Sequence, residues 1–259
     1  MEFRPCIDIH NGKVKQIVGG SLDDEANRAN ENFVSKKDAL FFANFYAKEG
    51  LRGGHLIMLN PPDSPYYEDT KEQAMAVLKA YPDTYQLGGG VNADNARGYI
   101  EAGASHVIVT SYVFKDGKIN YENLNKLVAA VGKEHIVLDL SCRRRGDEYF
   151  VVTDRWQKFT KEEVTLELLE SLADYADEFL IHAADVEGKQ CGIERDLVTM
   201  LSKWEGIPVT YAGGVGDYDD VMAIKELSDD RLNVTVGSAL DLFGGPLNYE
   251  TVLSCVRGL

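Results

Sequence analysis

"QLGGGVNADNARGYIEAG", residues 86–103, reads as an apolar run, a glycine triplet and then a helical periodicity. "YAGGVGDYDDVMAIKEL", residues 211–227, repeats that order. The apolar runs that follow end alike, in "VIVTS" (107–111) and "VTVGSA" (234–239). Gly90 and Gly214 stand 124 positions apart, and Ser111 and Ser238 stand 127 apart. Both offsets are close to half of 259 residues, so the chain reads as two related halves.

The rest of the chain alternates in the same way. Apolar runs of β type occupy 4–9, 55–60, 85–88, 106–110, 136–140, 178–183, 208–212 and 233–237. Between them lie amphipathic stretches such as "DTKEQAMAVLKAY" and "KEEVTLELLESLADYA", with apolar positions three to four residues apart, as in Val164, Leu168, Leu172 and Tyr175. Strands that alternate with helices must run parallel, joined by helical crossovers. Eight such units with a twofold repeat favour a closed (β/α)8 TIM barrel over an open doubly wound sheet. No linker or low-complexity seam interrupts the pattern, so one barrel domain spanning 1–259 is expected.

Composition narrows the partners. Net charge is −15, which argues against nucleic acid or an anionic membrane surface. No apolar run approaches the ~20 residues of a membrane span. The opening "MEFRPCIDI" suits neither a signal peptide nor an arginine-rich transit peptide, and the four cysteines (Cys6, Cys142, Cys191, Cys255) show no metal-ligand spacing. A cytoplasmic monomer with reduced thiols is the expectation. The five histidines show no ligand spacing, "GGGVNAD" is no dinucleotide fingerprint and "GKVKQ" is no P-loop, so neither metal nor cofactor is expected.

In a barrel of this kind the active site lies at the C-terminal ends of the strands, and phosphate often sits on the loops after strands 7 and 8. Those loops hold Gly213 and Gly214, then Gly237 and Ser238. Small residues let an anion approach backbone N–H groups, which an acidic chain needs. The repeat places a second such grip at Gly89, Gly90, Thr110 and Ser111. Two grips half a barrel apart imply a long ligand with a phosphate at each end. Between them stand Asp8 in "CIDIH" and Asp139 in "VLDLS", 131 residues apart and each flanked by aliphatic residues. Strands 1 and 5 face each other, so two carboxylates in unequal surroundings can divide acid and base work on one substrate.

The stretches "PCIDIHNGKVKQIVGGSL", "LGGGVN", "LDLSCRR", "HAADVEGKQCGI", "YAGGV" and "VTVGSALDLFGG" resemble those of the eukaryotic-type phosphoribosylformimino-5-aminoimidazole carboxamide ribotide isomerases of histidine biosynthesis. The resemblance covers nearly the whole chain. It implies a cofactor-free Amadori rearrangement of a bis-phosphorylated aminoaldose to an aminoketose. By the same resemblance Asp8 and Asp139 form the acid/base pair, and Trp156 stacks on the imidazole. Gln16, Gly20, Ser141, Asp185 and Glu187 are candidates for substrate contact, and Gly188 for phosphate. Ser141 follows Asp139 on the same strand face. Asn92 and Asn60 replace an arginine and an aspartate of the bacterial pattern, so arginine for the first phosphate is sought in Arg143, Arg144 and Arg145.

Asp8 is expected as the base and Asp139 as the acid, with the reverse left open. The alternatives are the cyclase of the same pathway, a phosphoribosylanthranilate or dual-substrate isomerase with Cys6 near Asp8, and a non-catalytic phosphate-binding barrel. The long loops after strands 1, 2 and 5 are candidate lids.

Overall fold

The computed structural model describes residues 1–18, 21 and 31–259. Eight parallel strands form the frame: β1 (Cys6–His10), β2 (Gly54–Met58), β3 (Tyr85–Gly88), β4 (His106–Val109), β5 (Ile136–Asp139), β6 (Glu178–His182), β7 (Val209–Ala212) and β8 (Asn233–Thr235). Each pairs with the next in order. The ring is closed beside β1, where Phe3 bridges Val234, Arg4 N–H donates to Val234 O (2.8 Å) and Val234 N–H donates to Glu2 O (3.0 Å). The barrel expected from the sequence is the barrel observed.

Among the described residues eight α-helices cover the outside: α1 (Ala39–Ala47), α2 (Tyr67–Ala80), α3 (Ala96–Glu101), α4 (Tyr121–Val131), α5 (Leu166–Leu172), α6 (Arg195–Leu201), α7 (Tyr218–Ser228) and α8 (Tyr249–Arg257). Local sequence sets where several begin. Asp38, Asn120, Thr165, Asp217 and Asn248 each accept an N–H of the first helical turn, a cap that contributes about 1 kcal/mol. The apolar stripes of these helices meet the outward strand residues in one core that includes Leu56, Leu87, Leu138, Phe179 and Tyr211, all buried. Truncating one of these leucines to alanine would cost about 2–5 kcal/mol.

Strand alternation turns the other residues into the barrel. Ile57, Ile108, Val137, Leu180 and Ala212 form a small apolar layer there. At the N-terminal end Glu178 accepts from Gln86 Nε2 (2.7 Å) and from Thr210 Oγ1, and Arg4 Nη2 lies 3.6 Å away. These donors satisfy the Glu178 carboxylate, and a partnered carboxylate can be buried where a lone one cannot. With that end filled, the barrel's cavity is lined by residues at the C-terminal ends of the strands.

Two of the long loops contain their own strands. The chain after β1 folds back as Lys13–Ile17, antiparallel to β1, and then Glu31–Val34. In the long loop after β5, a candidate lid by sequence, Cys142–Arg145, Glu148–Thr153 and Lys158–Glu163 form a three-stranded antiparallel sheet. Its alternation is hidden because consecutive charged residues, at 143–145 and at 161–163, occupy both faces of two strands. The described helices include none long and apolar enough to cross a membrane.

Candidate functional site

At the C-terminal end of the barrel lies a cavity of about 920 Å³. Asp8 and Asp139 both line it, from strands on opposite sides of the ring. Their partners differ. Asp139 Oδ1 accepts from Ser141 N–H (2.8 Å) and Ser141 Oγ (2.6 Å), its Oδ2 accepts from Thr110 Oγ1 (3.2 Å), and His182 Nδ1 lies 3.7 Å from Oδ1. Asp8 accepts only from the Cys6 thiol, at 3.1 Å, among the described residues.

The protonation equilibria separate accordingly. Burial raises the Asp8 carboxyl from 3.8 to about 6, helped by the Glu187 charge and opposed by the Cys6 hydrogen bond and by His182. Burial also pushes Asp139 upward, but His182 and the two Ser141 donors outweigh it and hold Asp139 below the usual carboxylate range. Burial raises Glu187, with His182 opposing. His182 is lowered by burial and raised more by Asp139, Glu187 and Asp8, so it stands above its ordinary value.

The two glycine turns share one backbone. Gly89 and Gly90 have φ of +109° and +67°, and Gly213 and Gly214 have +110° and +81°. A Cβ on Gly89 would lie 2.0 Å from Met58 O, and one on Gly213 would lie 2.8 Å from Ala183 O. In each half the turn lies against the carbonyl at the end of the preceding strand, which requires glycine. Thr110, Ser111, Gly237 and Ser238 line the same cavity as these four glycines. At the N-terminus of α7 the Asp217 side chain accepts the Asp220 N–H, so a carboxylate already stands at that helix end.

Of the other residues singled out in the sequence, Gln16, Trp156, Glu187 and Gly188 line the cavity. Gln16 Nε2 is buried with no hydrogen-bond partner among the described residues. Gly20 lies outside the described residues. Ser141 is fully buried beside Asp139 and does not line the cavity; it acts on the carboxylate. Asp185 is also absent from the lining, since Arg143 Nε (2.7 Å) and the Arg144 N–H (2.8 Å) hold its carboxylate in the loop sheet. Arg143, Arg144 and Arg145 do not line the cavity either; they pair with acidic groups or stack on Phe150 and Phe159.

Among the cavity residues that sequence reasoning missed are Arg155 and His182. Arg155 stands beside the first-half turn, donating from Nη2 to Leu59 O at 3.0 Å. It is delivered by a left-handed turn in which Asp154, Arg155 and Trp156 have φ of +50°, +57° and +66°. Three consecutive non-glycine residues in that region cost about 1 kcal/mol each, and nothing in residue type announces the turn. His182 had a readable signal, since it is the last residue of β6 and alternates in phase with Leu180 inside the barrel. The Trp156 and His182 rings lie 5.6 Å apart, tilted by 42°.

Residues 2–245 match the family model described as "Histidine biosynthesis protein". A Medicago truncatula protein named 1-(5-phosphoribosyl)-5-((5-phosphoribosylamino)methylideneamino) imidazole-4-carboxamide isomerase, chloroplastic, is 52% identical over 258 residues, covering 98% of this chain and 81% of the relative. The Neurospora crassa protein named as the same isomerase is 48% identical over 98% of this chain and 97% of its own length. The Saccharomyces cerevisiae isomerase is 39% identical over 95% and 94%. By a match that spans nearly all its residues, the chain belongs to the histidine biosynthesis protein family.

Proposed function

We infer that this chain is the isomerase that its relatives are named for, converting the N-linked aminoaldose to the aminoketose in histidine biosynthesis. The observation that carries the reading is the pair of repeat-related carboxylates, Asp8 and Asp139, on opposite walls of one cavity with a glycine turn in each half. The long ligand spans the cavity, one phosphate at Gly89, Gly90, Thr110 and Ser111 near Arg155, the other at Gly188, Gly213, Gly214, Gly237 and Ser238. Gln16 offers its unpartnered amide to the ligand. Trp156 supplies an aromatic face for the imidazole, and Glu187 a polar contact. The ligand needs no metal, since the proton work falls to side chains.

The chemistry follows from the two environments. A base works best with its pKa near the operating pH, and Asp8, raised to about 6, is both ionised at neutral pH and more basic than an ordinary carboxylate. Asp8 removes the proton from ribose C2. Asp139 delivers a proton to the ribose ring oxygen as the C1–O bond breaks, and the nitrogen lone pair forms the C1=N bond. The resulting enolamine tautomerises to the ketose. Each proton transfer contributes roughly 10²–10⁴-fold, and the two phosphate grips hold the ribose between the carboxylates.

Turnover by the purified chain decides the reading. With the aminoaldose as substrate, the aminoketose should accumulate without added metal or ammonia. Turnover only with ammonia would point to the cyclase, and no turnover of the aminoaldose would sink the isomerase reading. We further propose that the chain acts as a monomeric barrel unit spanning 1–259 in the cytoplasm, without nucleic-acid or membrane partners. Its four cysteines are all free, as a reducing compartment would keep them.

A further inference from the structure

One buried group in the cavity has no task in the chemistry above. His182 ends β6, is only 18% exposed in its side chain, and lies between the Trp156 ring and the Asp139 carboxylate. At 3.7 Å, Nδ1 and Asp139 Oδ1 are at ion-pair distance, and Nδ1 makes no hydrogen bond to a described residue. A hydrogen-bonding direction is therefore left open at a buried nitrogen within reach of the carboxylate that must give up a proton.

The surroundings favour an imidazolium. Asp139 on β5, Asp8 on β1 and Glu187 in the loop after β6 all raise its proton affinity, while burial opposes them. Across the barrel, His55 on β2 is itself pushed down to about 3 by burial first and by His182 next, so it stays neutral. The electron-rich Trp156 face suits a cation. Asp139 itself is held ionised by Ser141 and His182, so in the resting site it lacks the proton that its assigned task requires.

We propose that His182 is a positioning residue that stores the proton for the ring-opening step, passing it from Nδ1 through Asp139 to the ribose ring oxygen. The inference rests on the isomerase reading and deepens it. The Nδ1–H bond breaks and leaves its electron pair on the imidazole, and the proton moves to Asp139 Oδ1. From there it joins the ring oxygen, which receives the electron pair of the breaking C1–O bond. After Asp8 has taken the C2 proton, that proton returns to C1, and the enol hydroxyl at C2 gives up its proton to restore the His182–Asp139 pair. Two protons leave the substrate and two are returned, so each turnover is balanced.

Two measurements on the full chain test this. NMR of histidine-labelled protein without substrate should show the His182 ring titrating above its ordinary range. In Asp139→Asn the titration should fall by about one to three units, the size of an adjacent opposite charge. In kinetics, kcat of the wild type should decline on the alkaline side at the pH where His182 titrates. His182→Gln should lower kcat about 10²-fold, leave KM within about threefold and lose that alkaline limb. His182→Asn repeats the measurement should the glutamine variant fold poorly. A His182 titration indifferent to Asp139→Asn overturns the proposal, as does a variant that keeps the alkaline limb or changes KM rather than kcat. If the wild type does not turn over the aminoaldose, the isomerase reading fails separately, and the titration alone decides whether the pair exists.

Discussion

The two halves of the barrel agree in backbone and disagree in chemistry. Their glycine turns match within about 15° in φ at each paired position, yet the aspartates that stand in equivalent strands are treated oppositely. Asp139 has hydroxyl and N–H donors and an imidazole beside it, whereas Asp8 has a thiol. A phosphate needs the same cradle at both ends of a ligand, so both turns are kept. An acid and a base need different environments, and that difference resides in Ser141, Thr110, His182 and Cys6.

The comparison is broken most directly at the carboxylates. Asp8→Asn and Asp139→Asn should each lower kcat by roughly 10²–10⁴-fold with little change in substrate binding. Steady-state kinetics checks this, and a variant that retains more than about a tenth of wild-type kcat removes its residue from the proton path.

Stability separates the same two variants by sign. The Asp8 carboxyl is raised from 3.8 to about 6, so folding binds a proton and stability falls as pH climbs between those values. Above pH 6 the cost approaches about 3 kcal/mol at 1.36 kcal/mol per pKa unit. Asparagine removes the charge, so Asp8→Asn should be more stable than wild type above pH 6, and the two should converge below about pH 4. Asp139 is held below 3.8, so its contribution is present above that value and is lost as pH falls through the folded value. Asp139→Asn should therefore be less stable at neutral pH, by about 1–3 kcal/mol. Denaturant melts at pH 4 and 7.5 read both, and equal signs at pH 7.5 would contradict the asymmetry.

Glycine turns give the next smaller effect, and the position must be chosen with care. Gly214→Val is a poor probe, because φ is +81° and a Cβ would meet Gly192 O at 2.2 Å, so binding and fold would fail together. At Gly237 the backbone is ordinary, and a Cβ meets only the end of the Gln16 side chain, at 2.4 Å. Gly237→Ala should raise KM about tenfold with an unchanged melting temperature. Crystals soaked in phosphate should show one anion in each half; a single anion would mean that the repeated turn is only inherited from barrel construction.

The sequence showed what repeats and hid what does not. Strand boundaries, the glycine turns and both aspartates were legible because periodicity and duplication mark them twice. Arg155 was not, since its presentation depends on a left-handed turn with no glycine in it. Arg143 and Asp185 looked available for ligand and proved to be each other's partner, a pairing across 42 residues that no local pattern reveals. His182 carried the strand phase of an inward residue, but without Asp139 beside it the ring is indistinguishable from a packed core histidine.

The smallest expected effect tests how much of the asymmetry comes from one hydroxyl. Ser141 gives Asp139 Oδ1 two donors, its N–H at 2.8 Å and its Oγ at 2.6 Å. Alanine keeps the first and deletes the second, so the carboxylate loses one of its anchors and none of its position on the strand. Losing a donor to the charged form lets the Asp139 pKa rise toward its ordinary value. Thr110 and His182 still oppose that rise. Ser141→Ala should then lower kcat about fivefold, leave KM unchanged because Ser141 does not line the cavity, and move acid-limb titration of Asp139 upward. A pH profile of kcat reads the shift. If the variant proves as damaging as Asp139→Asn, the hydroxyl itself carries the proton, and the working pair of the second half is Ser141 with His182.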